Sequence, residues 1–123
     1  ICKEPNKICT LVKKEEYSDN IERESVMKVV INSNNEAMYF SRSLIPYQTV
    51  KKNYLKHICI YAYDPKTLKK IISLSESSLE KYESLEQLRW LENGFKINVK
   101  ITNFDSFSID TKEDLILAEN YIN

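Results

Sequence analysis

Hydrophobic and polar residues alternate with a period of two in several short runs, which predicts β-strands separated by turns. Ile8 to Val12 reads as a short strand, followed by a polar surface stretch from Lys13 to Arg23. Val26 to Ile31 is rich in β-branched residues, Asn32-Ser33-Asn34-Asn35 supplies turn chemistry, and Ala37 to Ser41 resumes a strand, so the three form a hairpin. Pro46 opens a loop over Tyr47 to Asn53. His57 to Tyr63 is the most strand-like segment, and strict alternation places His57, Cys59, Tyr61 and Tyr63 on one side and Ile58, Ile60 and Ala62 on the other.

Beyond Tyr63 the period changes to that of a helix. Asp64 is a natural N-cap, and Pro65 suits the first helical position, which predicts a helix to about Ser73. Ser77 and Glu80 have capping-box spacing, and Asn93-Gly94 marks a left-handed exit. Between them Leu79, Tyr82, Leu85, Leu88, Trp90 and Leu91 form an apolar stripe, which predicts one long helix. Lys96 to Thr102 alternates as a strand through Ile97, Val99 and Ile101. Phe107 to Ile109 is a short apolar segment, and Asp110 or Thr111 then caps a last helix to about Tyr121. Strands that alternate with helices predict an α/β domain with part of its sheet parallel.

Composition narrows the function classes. The 123 residues suit one domain or a large piece of one, and a domain of that size buries roughly two-thirds of its unfolded surface. Eighteen Lys and Arg balance eighteen Asp and Glu, so no basic stripe points to nucleic acid and no charge excess to an acidic membrane surface. The longest apolar runs are strand-sized, and Ile1-Cys2-Lys3-Glu4-Pro5 lacks the apolar core of a signal peptide, so no membrane span is expected. The cysteines at 2, 9 and 59 have no C-x-x-C spacing, and with one histidine they support neither a zinc site nor a disulfide framework. Reduced thiols fit a cytoplasmic protein.

Candidate chemistry sits where strands end, because ligands in open α/β sheets gather there. Ser41-Arg42-Ser43 follows a strand, Lys56-His57 leads into Tyr61 and Tyr63, and Asp110-Thr111 stands at a strand-to-helix junction. Glu80, Glu83, Glu86 and Gln87 share neighbouring helix faces. Each also has a plain structural reading: a surface arginine, a satisfied histidine, a helix cap and a solvated helix face. The chain has a single glycine, Gly94, so it contains no glycine-rich loop of the kind that cradles a nucleotide triphosphate.

Read together, the ordered segments Tyr39-Phe40-Ser41-Arg42-Ser43-Leu44-Ile45-Pro46, Lys56-His57-Ile58-Cys59-Ile60-Tyr61-Ala62-Tyr63, Leu79 to Arg89 and Ile109-Asp110-Thr111-Lys112-Glu113-Asp114-Leu115 resemble the 3-deoxy-manno-octulosonate (Kdo) cytidylyltransferases, or CMP-Kdo synthetases. Ser25 to Val30 resembles the strand that precedes the Phe-Ser-Arg segment there. The resemblance implies a nucleotide-diphosphosugar-transferase-like α/β three-layer sandwich with a mixed, mostly parallel sheet, and a homodimer. It implies CMP transfer from CTP to the sugar acid for lipopolysaccharide or capsule synthesis, with Mg2+ as cofactor and pyrophosphate as leaving group.

On the matching positions, Asp110 corresponds to a metal-binding and catalytic aspartate, and Arg42 to a catalytic arginine whose planar fork suits a carboxylate or phosphate. His57, Tyr61, Glu86 and Gln87, with Arg42, correspond to substrate-binding positions around the sugar. The chain departs from the pattern at Cys59 and Ser108, where glycine is usual, and at Lys112, where proline is usual. The glycine-rich CTP loop does not occur, and the chain starts at Ile1. The expectation is therefore that residues 1–123 form the C-terminal portion of a single cytidylyltransferase domain, with the sugar side of the site but inactive alone. Two alternatives stand beside it. One is a non-catalytic dimerisation or sugar-binding remnant, and the other is a cytidylyltransferase for another ulosonic acid, against which Leu85-Glu86-Gln87-Leu88-Arg89 favours the Kdo branch.

Overall fold

A computed structural model describes residues 7–18, 22–103, 112 and 116. Alternating apolar residues place five strands in one sheet: β1 (Lys7–Glu16), β2 (Lys28–Ile31), β3 (Ala37–Ser41), β4 (Asn53–Tyr63) and β5 (Lys96–Ile101). Three helices, α1 (Pro65–Ile72), α2 (Ser78–Glu83) and α3 (Gln87–Glu92), lie between β4 and β5. The sheet order is β3-β2-β4-β1-β5. Side chains from β1 (Ile8, Val12), β2 (Val29), β3 (Phe40) and β5 (Ile97, Val99) meet Ile71 of α1 and Leu88 and Trp90 of α3 in one core cluster. The described residues thus supply a sheet and a helical layer of an α/β sandwich.

The expected mixed sheet is present. Among the described strands only β1 and β5 run parallel, while β1–β4, β2–β3 and β2–β4 are antiparallel. The cause is connectivity. A tight hairpin forces β2 and β3 antiparallel, and only the β4-to-β5 connection is a helical crossover. The hairpin turn is built as its asparagines predict: Asn32 Oδ1 accepts from the N–H groups of Asn34 and Glu36, each at 2.9 Å. Its tip then reaches the far edge of the sheet, where Val99 N–H donates to the Asn35 carbonyl at 2.8 Å and Glu36 bridges Asn98.

Capping signals hold at α1, where Asp64 Oδ1 accepts from Thr67 N–H at 2.7 Å. The single long helix expected over the apolar stripe is instead two short ones. Ser84 adopts a left-handed conformation (φ 56°, ψ 45°) between α2 and α3 and breaks the helix there. The pair is held by Glu80, which accepts from Ser77 N–H at 3.0 Å and from both Nε (2.7 Å) and Nη2 (2.5 Å) of Arg89. That arrangement, Arg89 first, holds the Glu80 carboxyl below its ordinary value. Arg89→Met is expected to lower the urea midpoint of unfolding, because it leaves Glu80 without the partner that ties α2 to α3. Gly94 (φ 84°) ends α3, as its position predicts. The segment from Phe107 to Ile109, Asp110, Thr111 and most of the final helix lie outside the described residues; Lys112 and Ile116 are both helical.

Candidate active site on β4 and α3

Strand β4 does not alternate as its sequence suggests. Thr10 of β1 faces Tyr61, whereas the next residue, Leu11, faces Ile58, so Cys59 and Ile60 bulge out of the ladder. The bulge brings His57 and Tyr61 together on the core side, with ring centroids 5.4 Å apart. His57 also meets the edge of Phe40 at 4.9 Å, and Tyr61 meets Trp90 of α3 at 5.0 Å. Trp90 lies one helical turn beyond Gln87, so α3 presents Gln87 toward the same side as the aromatic cluster.

Electrostatics at this group favour neutral polar partners. His57 is 3% exposed, and burial pushes its imidazole down to about 4. Tyr61 is held neutral far above its ordinary value by burial, then by Cys59 and by Glu86. Glu86 itself is exposed. Gln87 is 6% exposed, and among the described residues its side-chain Nε2 has no hydrogen-bond acceptor. A buried amide without a partner is costly in a folded protein, and such a group commonly awaits a ligand or a water. His57 and Tyr61 thus meet on β4, Tyr61 meets α3 through Trp90, and Gln87 lies one turn before Trp90 with Glu86 just ahead of the helix.

Arg42 is engaged with backbone carbonyls. Its Nε donates to the Glu83 carbonyl at 2.8 Å, its Nη1 to the Glu24 carbonyl at 2.9 Å and its Nη2 to the Ser84 carbonyl at 3.0 Å. The guanidinium thus clamps the α2–α3 corner to the end of β3. Among the described residues it makes no hydrogen bond to His57, Tyr61 or Gln87, and it lines an open recess with Glu22, Glu24, Ser43, Tyr82, Glu83 and Ser84. The Glu83 carboxylate answers from the other side, accepting from Tyr39 Oη (3.0 Å), Ser41 Oγ (2.7 Å) and Arg42 N–H (3.2 Å). Lys28, fully buried, donates to the carbonyls of Arg23 (2.9 Å) and Arg42 (2.6 Å). Burial, with Arg42 adding to it, lowers the Lys28 ammonium below its ordinary value.

Sequence reasoning missed Lys28 and Thr10, and placed Glu83 only among polar residues on neighbouring helix faces. Glu83 reads as one more solvated helix glutamate, Lys28 as a polar residue in a strand and Thr10 as one of five strand residues. None carries a sequence signal of its own, because each acts on groups distant in the chain. Asp110 lies outside the described residues. Among the described residues no three His, Cys, Asp or Glu side chains cluster so as to hold a metal ion. None of the helices among them is long and apolar enough to cross a membrane.

A mixed α/β sheet with a helical layer packed on it fits a nucleotidyltransferase, and the chain belongs to the cytidylyltransferase family: the model of that family, described as cytidylyltransferase, matches residues 1–101. Its relatives are more particular. It is 51% identical over 120 residues to the 3-deoxy-manno-octulosonate cytidylyltransferase of Parabacteroides distasonis, covering 88% of this chain and 48% of that protein. It is 47% identical over 128 residues to the protein of the same name from Thermodesulfovibrio yellowstonii, covering 98% of this chain and 50% of that protein. Among solved structures it is similar to a CMP:2-keto-3-deoxy-manno-octonic acid synthetase complexed with CTP. That match has a TM-score of 0.83 and 36% identity, over 94% of this chain and 48% of the other. The chain spans about half the length of the curated relatives it matches.

Proposed function

We propose that this chain forms the sugar-binding side of a CMP-Kdo synthetase, which transfers CMP from CTP to a 3-deoxy-octulosonic acid. In that reaction the anomeric hydroxyl of the sugar acid attacks the α-phosphorus of CTP, the new C–O–P linkage forms, and pyrophosphate leaves. The observation that carries the reading is the buried Gln87 amide, without an acceptor among the described residues and one helical turn from Trp90, whose ring meets Tyr61. A polyhydroxylated acid offers what these groups lack: acceptors for the amide N–H, and hydroxyls that both donate and accept. Neutral His57 and Tyr61 add orientation without adding net charge.

The remaining parts of the reading rest on the resemblance of the ordered sequence segments to the family. The triphosphate site comes from outside this chain, so residues 1–123 correspond to the C-terminal portion of the domain and are inactive alone. Asp110 contributes one carboxylate to Mg2+, which neutralises phosphate charge and aligns the reacting groups when bound. Arg42 enters as the clamp that sets the corner from which Gln87 projects. The assembled enzyme is a cytoplasmic homodimer that serves lipopolysaccharide or capsule synthesis.

The test is calorimetric titration of Kdo into the chain, followed by pyrophosphate release with CTP after the other half of a relative is added in trans. Saturable Kdo binding that weakens about tenfold in Gln87→Leu is expected, since one buried hydrogen bond to a polar ligand is lost. Absence of Kdo binding, or unchanged affinity in Gln87→Leu, would sink the reading.

A further inference from the structure

Thr10 has one hydroxyl proton and three neighbours. Its Oγ1 lies 2.8 Å from the Ile60 carbonyl, 3.3 Å from the Ile58 carbonyl and 2.9 Å from His57 Nε2. Carbonyl oxygens only accept, so the hydroxyl donates to Ile60, the nearer of the two. Its oxygen then accepts, and among the described residues the group placed to donate to it is a protonated Nε2. The opposite assignment, with Nε2 bare and accepting from Thr10, sets two lone-pair-bearing oxygens against each other at 2.8 Å. It also leaves an Nδ1–H facing the Cys59 sulfur, a weak acceptor at 3.7 Å. With Nε2 protonated every group is matched, since the Cys59 thiol donates to the bare Nδ1.

We propose that Thr10 is a positioning residue that locks His57 in the Nε2–H tautomer across the β4 bulge, so that Nδ1 is presented as a hydrogen-bond acceptor for a hydroxyl of the bound sugar. The bulge is what makes this possible. It turns the Ile58 and Ile60 carbonyls toward one threonine, which pins strand geometry and ring tautomer with a single side chain. The thiol is the weakest donor available for Nδ1, so a sugar hydroxyl displaces it readily. The identity of the hydroxyl donor rests on the function proposed above, whereas the tautomer rests on the Thr10 geometry alone.

His57 is the only histidine in the chain, so its ring signals are assigned without ambiguity. Long-range proton–nitrogen correlation spectra of the labelled chain at pH 7 are expected to show a protonated Nε2 and a bare Nδ1. Thr10→Val is expected to lose that single-tautomer signature and to bind Kdo about tenfold more weakly, whereas Thr10→Ser, which keeps the hydroxyl, restores both. Added Kdo is expected to shift Nδ1 and leave Nε2 in place. A proton on Nδ1 in the unsubstituted chain, an unchanged ring signature in Thr10→Val, or a Kdo shift confined to Nε2 would each overturn the proposal. Should Thr10→Val fail to fold, the unsubstituted chain and Thr10→Ser still decide the tautomer. If Kdo does not bind while the ring signature is as expected, it is the function that fails and the Thr10 lock that stands.

Discussion

Replacing Glu83 by alanine is expected to cost about 3 kcal/mol of folding stability, read as a lower urea midpoint with little change in slope. The carboxylate accepts from three donors at once: the Tyr39 phenol, the Ser41 hydroxyl and the Arg42 backbone N–H. Ser41 is 2% exposed, so its hydroxyl finds no water when the acceptor is removed. Alanine also leaves the Arg42 guanidinium as the main tie between β3 and the end of α2. Each orphaned donor costs on the order of 1 kcal/mol or more, and three of them sum to the figure above. Glu83→Gln keeps one acceptor oxygen and is expected to lose about half as much. A Glu83→Ala protein as stable as the parent would mean that these bonds contribute nothing net. Because Ser84 follows directly and α3 starts at Gln87, the same substitution is expected to raise hydrogen exchange at the first amides of α3.

Through His57, acid is expected to destabilise the chain by about 3 kcal/mol between pH 6.5 and about 4. Its folded value, pushed down to about 4 by burial, lies below the unfolded value of 6.5. Within that window the unfolded chain binds more protons than the folded one, so stability rises with pH there. The folded state is therefore at full strength above pH 6.5 and loses ground as the pH falls through the window. Burial is the cause: the ring is enclosed by Phe40, Tyr61 and Thr10, and a charge there would lack water. The carboxylates act elsewhere on the scale. Glu80 and Asp64 have folded values below their ordinary 4.5 and 3.8, so their contribution is lost as the pH falls below those values. Urea unfolding at pH 7 and pH 4.5 separates the two effects. His57→Gln is expected to flatten the upper window and leave the lower one, and an equally steep upper window in His57→Gln would refute the assignment.

Much of this was legible in residue order. The Asn32 to Asn35 turn, the Asp64 and Pro65 start of α1, the Ser77 and Glu80 spacing and the Gly94 exit are local chemistry, and the structure uses each where it was expected. The family was legible too, because four short segments occur in a fixed order. The grouping of His57, Tyr61, Glu86 and Gln87 was implied by that resemblance; the structure sets His57 against Tyr61 and Tyr61 against Trp90, one helical turn from Gln87. Arg42 was legible as a functional arginine, but its guanidinium is directed at three backbone carbonyls, which no spacing reveals.

What the sequence by itself determined is the local set: strand and helix types, their caps and turns, the balance of charge and membership of a cytidylyltransferase family. These depend on neighbours a few residues apart, where period, capping and turn geometry act. Tertiary structure alone decided that the described strands pair largely antiparallel, that the apolar stripe breaks at Ser84, and that β4 bulges at Cys59 and Ile60. It alone decided that Thr10, Lys28 and Glu83 are buried or bonded partners rather than ordinary polar positions. The physical reason is common to all of them. Each depends on which backbone carbonyl or side chain lies opposite, across 14 to 50 residues of chain, and only the packed fold brings those groups within hydrogen-bonding distance.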